Sequence, residues 1–290
     1  MPSISEKTEI LTEALPYIRR YSGSTFVIKY GGAAMIDQEL EDAFARDVTL
    51  LKTVGIRIVI VHGGGKEVTR IADKLGLTTR FIQGQRYTDA DMMEVVQMVL
   101  AGKTNKDIVS RINQHDGNAV GVCGIDAKLL TVRRHSPGNV DLGFVGEITA
   151  VNTAYLAGML EQNILPVIAP VGVDLSGQSY NINADIAASK VAAALCAEKL
   201  VFLSDVKGVM VDHRLIHSIE QQEAERLIRE KIITDGMIPK IQSAFHALDA
   251  GVGKVHLIDG RVKHSLLLEV FTDAGVGTQL LHSSASPVRN

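Results

Sequence analysis

Phe26-Val27-Ile28-Lys29-Tyr30-Gly31-Gly32 and Ile58-Val59-Ile60-Val61-His62-Gly63-Gly64-Gly65 are two short apolar runs, each ending in a glycine cluster. Unbroken β-branched runs of this length predict strands buried on both faces. Glycine directly after a strand lets backbone N–H groups approach a ligand closely, and such groups favour phosphate. One glycine there ordinarily only makes a tight turn. A third in a row costs backbone entropy that turning does not explain. The pair of clusters, one with Lys29 just ahead of it, predicts a phosphate held from two sides.

Outward from these runs, strands and helices alternate. Leu40, Phe44, Val48 and Leu51 fall at helical spacing between Asp37 and Val54, and Gly55 ends that helix. A short helix is expected from Lys66 to Leu75, and Thr88-Asp89 can cap a longer one with Met92, Val95, Val96 and Val99 on one face. Short strands around Ala119–Val122, Leu129–Val132 and Phe144–Val151 suggest hairpins inserted in the α/β pattern. Ile164–Val171 reads as another buried strand and Asp174-Leu175-Ser176-Gly177-Gln178 as a hairpin turn. Ala184–Ala197 predicts an alanine-rich helix, and Lys199–Leu203 a strand ending at Ser204-Asp205. Helices over Gln221–Lys231, Met237–Ala250 and His264–Phe271, with a strand at Val255–Ile258, follow. This alternation predicts an α/β fold, a three-layer αβα sandwich with a largely parallel central sheet. In such sheets ligands sit beyond the carboxyl ends of the strands, where both glycine clusters, Ser204-Asp205 and Asp259-Gly260 fall.

Composition narrows the class. With 46% hydrophobic residues and a net charge of −3 over 290 residues, disorder and a globally basic surface for nucleic acid are excluded. No apolar stretch approaches the roughly 18 residues that span a membrane. Met1-Pro2-Ser3-Ile4-Ser5-Glu6 lacks the basic-then-apolar pattern of a secretory signal. Cys123 and Cys196, isolated from each other, read as small core hydrophobes in a reducing compartment. The expectation is a cytoplasmic protein, or an organellar one whose transit peptide is absent.

Familiar nucleotide motifs fail. Gly65-Lys66 is followed by Glu67, where a P-loop needs a hydroxyl for magnesium, and Gly63-Gly64-Gly65 is not a Rossmann fingerprint. No H-R-D-type loop of protein kinases is present.

Lys29-Tyr30-Gly31-Gly32, His62-Gly63-Gly64-Gly65, Asn181-Ile182-Asn183-Ala184-Asp185 and Asp235-Gly236-Met237-Ile238-Pro239-Lys240 stand in the order found in the amino-acid kinase family. The chain resembles that family over essentially its whole length. It looks most like the kinases of N-acetyl-L-glutamate, whose substrate segment Gly84-Gln85-Arg86-Tyr87-Thr88-Asp89 matches. Lys66 departs from the pattern, standing where many members carry proline. The resemblance implies the amino-acid kinase fold. It also implies transfer of the γ-phosphoryl of ATP to the side-chain carboxylate of N-acetylglutamate, giving an acyl phosphate in arginine biosynthesis. Such a carboxylate, with a reference pKa of about 4.3, is already ionised at neutral pH. No general base is then required, and catalysis rests on alignment and on neutralising phosphoryl charge.

By the same resemblance, Lys29 and Lys240 stabilise the transferring phosphoryl group and Asp185 holds them in position. Amides at Gly31, Gly32, Gly64 and Gly65 line the phosphate path, the last two also bordering the acceptor. Arg86 offers a fork suited to a carboxylate, and Asn181 and Asn183, at period 2, present both amides to one side. The nucleotide lies near Ser204, Asp205, Lys207, Gly208, Gly236 and Met237, with magnesium carried on the ATP phosphates. Taken singly, these residues have ordinary roles: Lys29 and Lys240 as solvated groups, Asp185 as a helix cap, the asparagines as turn residues. His213 and His217 read as surface histidines without a third metal ligand.

Both ends carry a second expectation. Ser5 to Tyr21 show Ile10, Leu11, Ala14, Leu15 and Ile18 on one helical face, with Pro16 expected to kink the helix. This face packs either on its own body or on another subunit. The extension resembles that of arginine-inhibited hexameric members, trimers of dimers interlocked by such helices. Asp259-Gly260-Arg261, Leu267-Leu268-Glu269 and Gly275-Val276-Gly277-Thr278 resemble their arginine-binding region, which makes Lys199, Glu269 and Gly277 candidate contacts. Some members of this type also bind a PII-type signalling protein; the sequence leaves that open. The resulting division is an oligomerisation helix over 1–22, a lobe for acetylglutamate and phosphoryl group over 23–195, and a lobe for ATP and arginine over 196–290. Two alternatives stand beside this reading. One is another amino-acid kinase of the glutamate 5-kinase or aspartokinase kind, which Arg86, Asn181 and Asn183 argue against. The other is a non-catalytic nucleotide or amino-acid sensor, against which Lys29, Lys240 and Asp185 count together.

Overall fold

A computed structural model describes residues 4–35, 37–234, 236–272 and 275–282, without the side chains of 4–11, 33 and 139. The two quoted runs are neighbouring parallel strands, β1 (Thr25–Tyr30) and β2 (Arg57–His62), with Phe26 opposite Ile58 and Tyr30 opposite His62. With β3 (Ala119–Cys123), β4 (Leu165–Ala169), β5 (Lys199–Ser204), β6 (Ser218–Glu220), β7 (Lys254–Asp259) and β8 (Thr278–Leu281) they form an eight-stranded sheet. Its order is β6-β8-β7-β5-β1-β2-β4-β3. From β7 to β3 every neighbour is parallel; β8 runs antiparallel to β7 and pairs in parallel with β6.

The helices are α1 (Ile4–Tyr21), α2 (Gln38–Thr53), α3 (Gly65–Lys74), α4 (Ala90–Gln97), α5 (Asn105–Asn113), α6 (Thr153–Glu161), α7 (Ala184–Ala194), α8 (Gln221–Arg229), α9 (Met237–Asp249) and α10 (Ser265–Phe271). Strand alternation sends side chains to two layers. Phe26, Ile28, Tyr30 and Ile60 pack with Phe44, Leu51, Ile108, Ile112 and Leu266 of α2, α5 and α10. Val27, Val59, Val61 and Phe202 pack on the other side with Leu156, Ala187, Ala188, Leu227 and Ile241 of α6 to α9. Phe26 and Phe202 are fully buried, each side chain of that kind contributing about 1.5–3 kcal/mol. The alanines of α7 are small enough for that helix to lie close on the sheet, which brings its first turn down to the end of β1.

Several expectations change. Ala119–Cys123 is no inserted hairpin but the edge strand of the main sheet, paired with β4. Leu130–Arg134 and Gly146–Val151 do form a hairpin, in a four-stranded second sheet with Val171–Val173 and Ser179–Asn181. Asp174 closes its turn by accepting from the backbone N–H groups of Ser176 and Gln178 at 2.8 and 3.0 Å. Asp89 caps α4 by accepting from Met92 N–H at 2.9 Å, and a π-helical stretch over Met98–Thr104 carries the chain on into α5. Helix α7 stops at Ala194, because Cys196 takes a left-handed φ of 48°. Cys123 is buried as expected, whereas Cys196 is exposed, so it is not a core residue.

Helix α1 is one element running through Pro16. Tyr17 and Tyr21 pack with Leu267 and Phe271 of α10. Of the expected stripe, Leu15 is exposed, Ala14 and Ile18 are half-buried, and the side chains of Ile10 and Leu11 lie outside the described residues. His213 and His217 are exposed, on and beside the short hairpin Met210–Val211 with Arg214–Leu215.

Candidate active site

The parallel register brings Tyr30, His62, Ala169, Ser204 and Asp259 to the same edge of the sheet, with both glycine clusters just beyond it. Lys29, one residue before the end of β1, points to the α7 side. Its Nζ lies 3.0 Å from Oδ1 of Asp185, and Nζ of Lys240, in the first turn of α9, donates to Oδ2 at 2.8 Å. Burial pushes the Asp185 carboxyl up, but the two ammonium groups outweigh it and hold it below the ordinary carboxylate value. Asp185 is not the helix cap: Asn183 caps α7 instead, accepting from the N–H groups of Asp185 and Ile186 at 2.8 and 3.3 Å. The carboxylate is thereby left free to hold both lysines.

On one side of this cluster is a cavity of about 180 Å³ bordered by Gly63, Gly64, Gly65, Arg86, Asn181 and Asn183. All the acceptor-binding candidates are thus brought together. Arg86 ends a hairpin of Phe81–Ile82 with Gln85–Arg86, paired opposite Phe81 and turned at Gly84 with φ 76°. Its Nη2 donates to the Gly65 carbonyl and to Thr69 Oγ1, both at 2.8 Å, and its guanidinium stands 4.9 Å from the Phe81 ring centroid. Asn181 Nδ2 donates to Thr88 Oγ1 at 3.2 Å, and Ile182 turns into the core as its period predicts. Gly64 has φ 148°, a backbone conformation that favours glycine, and a Cβ there would press on Leu100 Cδ2 at 2.6 Å.

On the other side a cavity of about 500 Å³ is lined by Lys29, Gly32, Ser204, Asp205, Gly208, Gly236, Met237 and Lys240 among others. Gly31 and Lys207 do not border it. Gly31 sits against the Lys29 side chain, and its Cβ would be 2.9 Å from Nζ. Gly32 has φ 73° and lies against Asp205, whose Oδ1 would be 2.0 Å from a Cβ. Asp235 lies outside the described residues. Lys66 reaches toward Asp205, with Nζ 3.9 Å from Oδ2. The first turns of α7 and α9 open on the two cavities, α3 starts at Gly65, and helix N-termini favour anions. Among the described residues no group of three or more His, Cys, Asp or Glu could hold a metal.

Lys199 and Glu269 lie elsewhere, on the α1 and α10 face at the beginning of β5 and in α10. Lys199 Nζ stands 4.7 Å from the Tyr21 ring centroid, and burial pushes its pKa down to about 8 despite the Glu269 charge. Glu269 pairs with buried His256 and accepts from Val276 N–H at 2.8 Å. Burial raises the Glu269 pKa, and the His256 contact, the Val276 N–H and the Lys199 charge together hold it below the ordinary carboxylate value. Gly277 presses on β7: a Cβ would stand 2.0 Å from the Leu257 carbonyl. The sequence reading missed His256 and Asn105 and quoted His62 only as part of its glycine motif, with no role of its own. All three are buried polar groups whose partners are distant in sequence or are backbone atoms.

Residues 24–259 match the amino acid kinase family. The chain belongs to the amino acid kinase family. The acetylglutamate kinase of Chlorobium chlorochromatii is 56% identical over 94% of this chain and 96% of its own length, and that of Aquifex aeolicus 50% identical over 97% and 99%. At these identities the chain stands among the acetylglutamate kinases. The N-acetylglutamate synthase of Neisseria gonorrhoeae has been solved with coenzyme A and N-acetyl-glutamate, and with coenzyme A and L-arginine. The two structures superpose with TM-scores of 0.86 and 0.81 at 30% and 29% identity. The match covers 96% of this chain in each case but only 63% and 65% of that longer protein.

Proposed function

We propose that this protein transfers the γ-phosphoryl group of ATP to the side-chain carboxylate of N-acetyl-L-glutamate, a step of arginine biosynthesis. The observation that carries the reading is Asp185 holding Lys29 and Lys240 between two cavities, one built from 63–184 and the other chiefly from 203–240. The acceptor occupies the smaller cavity, its α-carboxylate on Arg86 and its acetamido group on Asn181 and Asn183. ATP, entering with magnesium on its phosphates, occupies the larger one along Gly32, Ser204, Asp205, Gly208, Gly236 and Met237. The acceptor oxygen attacks the γ-phosphorus, and the bond from that phosphorus to the bridging oxygen breaks. ADP leaves with that electron pair, and no proton has to move. Lys29 and Lys240 neutralise charge that spreads over the equatorial oxygens in flight.

The same reading gives 23–195 to the acceptor and 196–290 to the nucleotide, in a cytoplasmic enzyme. It takes α1 as an oligomerisation helix of a hexamer, and Lys199, Glu269 and Gly277 as contacts for inhibitory arginine. The arginine complex of the Neisseria synthase supports this last part. Deleting 1–21 should reduce oligomer size and weaken arginine inhibition; a truncated protein that still sediments as a hexamer contradicts it. The central test is coupled ADP release with N-acetylglutamate, glutamate, aspartate and UMP as acceptors. Activity only with an acceptor other than N-acetylglutamate overturns the assignment.

A further inference from the structure

Tyr30 and His62 end the two central strands, face each other in register, and point to the side away from Lys29 and Asp185. Each bonds a carbonyl of its own glycine loop. Tyr30, stacked on Phe44 with centroids 3.8 Å apart, donates its hydroxyl to the Ala34 carbonyl at 2.7 Å. His62, wholly buried, has Nδ1 2.6 Å from the Gly63 carbonyl oxygen. Asn105 determines which ring nitrogen carries the hydrogen. Its Nδ2 donates to the Val167 carbonyl at 2.9 Å and its Oδ1 accepts from Lys106 at 3.1 Å, which fixes the amide's orientation. That same Nδ2 stands 3.2 Å from His62 Nε2, so Nε2 is the acceptor and Nδ1–H donates to Gly63.

The bond matters because a peptide unit is planar and trans: pinning the Gly63 carbonyl on the α5 side aims the Gly64 N–H the opposite way, toward the substrates. The Gly63 N–H donates to the Tyr30 carbonyl at 2.7 Å, and His62 fixes the other end of the same residue. A cavity of about 450 Å³ bordered by Tyr30, Gly32, Phe44, Gly64, Gly65 and Ile108 separates the loops from the helices there.

We propose that His62, set by Asn105, is a positioning residue for phosphoryl transfer: it holds the Gly63 carbonyl so that the Gly64 amide meets the reacting group. The inference rests on the reading of Gly64 as a contact of that group. The full-length protein with ¹⁵N-labelled histidine tests the tautomer independently of any activity. Nδ1–H and bare Nε2 are expected for His62 at neutral pH; the opposite tautomer or a charged ring overturns the proposal.

Kinetics test the consequence. His62→Asn keeps a donor near the Nδ1 position and should retain kcat comparable to the parent. His62→Phe, which has none, should lose about 10- to 100-fold in kcat with KM for ATP near the parent value. Equal kcat for the two overturns the proposal. Should His62→Phe fail to fold, His62→Gln serves: its amide reaches the Nε2 position beside Asn105 and places no donor where Nδ1 stood. The same loss of kcat is expected, and a parent-like kcat in folded His62→Gln is contrary. Loss of N-acetylglutamate activity in the parent itself would instead fault the proposed function and leave the tautomer result standing.

Discussion

Lys240, in the first turn of α9, sits 2.8 Å from Asp185, in the first turn of α7. A cation in the first turn of a helix opposes the helix dipole, so Lys240 is placed against local preference and answered by a carboxylate. Lys29 takes the other oxygen of the same group. Replacing Lys29 or Lys240 by alanine is expected to lower kcat by about 10²–10³, the scale of one lost transition-state contact. Steady-state assays with N-acetylglutamate check this; losses of roughly tenfold or less in both, with KM unchanged, would show the roles to be misassigned.

Asp185→Asn leaves two largely buried lysines facing a neutral amide. Stability should fall by about 3–5 kcal/mol, as when one partner of a buried ion pair is removed. Because the Asp185 pKa is depressed in the folded state, its contribution is present above the ordinary carboxylate value and is lost as pH falls through the folded value. Urea unfolding should therefore show the gap between parent and variant closing in acid. A gap that widens in acid is the contrary result.

Arg86 places Nη2 on Gly65 and Thr69 and Nη1 3.4 Å from Thr79 Oγ1, while its side chain borders the smaller cavity. Lysine cannot do both. Arg86→Lys should raise KM for N-acetylglutamate by about tenfold or more while KM for ATP stays near the parent value. An effect confined to ATP would move Arg86 to the other substrate.

The His62 ring has a second readout in stability. Burial draws its pKa from 6.5 down to about 4, so the unfolded chain binds the proton more readily than the folded one. The neutral ring's contribution is complete above the unfolded value and is lost as pH falls from 6.5 toward 4. Its size is at most about 3 kcal/mol. His62→Asn cannot titrate, and its unfolding midpoint should depend less on pH across that window. Parallel pH profiles would contradict the burial of a neutral ring.

How much of this was legible depended on where the information sits. The cores of β1, β2 and β5 were plain because strands buried on both faces have no polar alternation to obscure them. Ala119–Cys123 was misplaced because Gly121 and exposed Val120 give an edge strand no distinctive pattern, and its partner β4 is remote in sequence. Thr153–Glu161, apolar and small-residued nearly all round, shows little helical stripe; Ser218–Glu220 and Thr278–Leu281 are short and partly polar. The lysines and Asp185 stood out through their motifs. Their mutual contact, the capping role of Asn183 and the His62 tautomer depend on distances that no spacing along the chain expresses.

Strand β1 lies between β5 and β2, hydrogen-bonded on one flank to the half we propose for the nucleotide and on the other to the half we propose for the acceptor. Lys29 therefore rides on the seam. Were the two halves to swing about that line, a group on the axis would travel least, while Arg86 and Gly236 would sweep through larger arcs. On the proposed assignment, the fixed point of reference for both substrates would then be a single side chain on the middle strand. Donor and acceptor would be brought to that charge rather than the charge being brought to them.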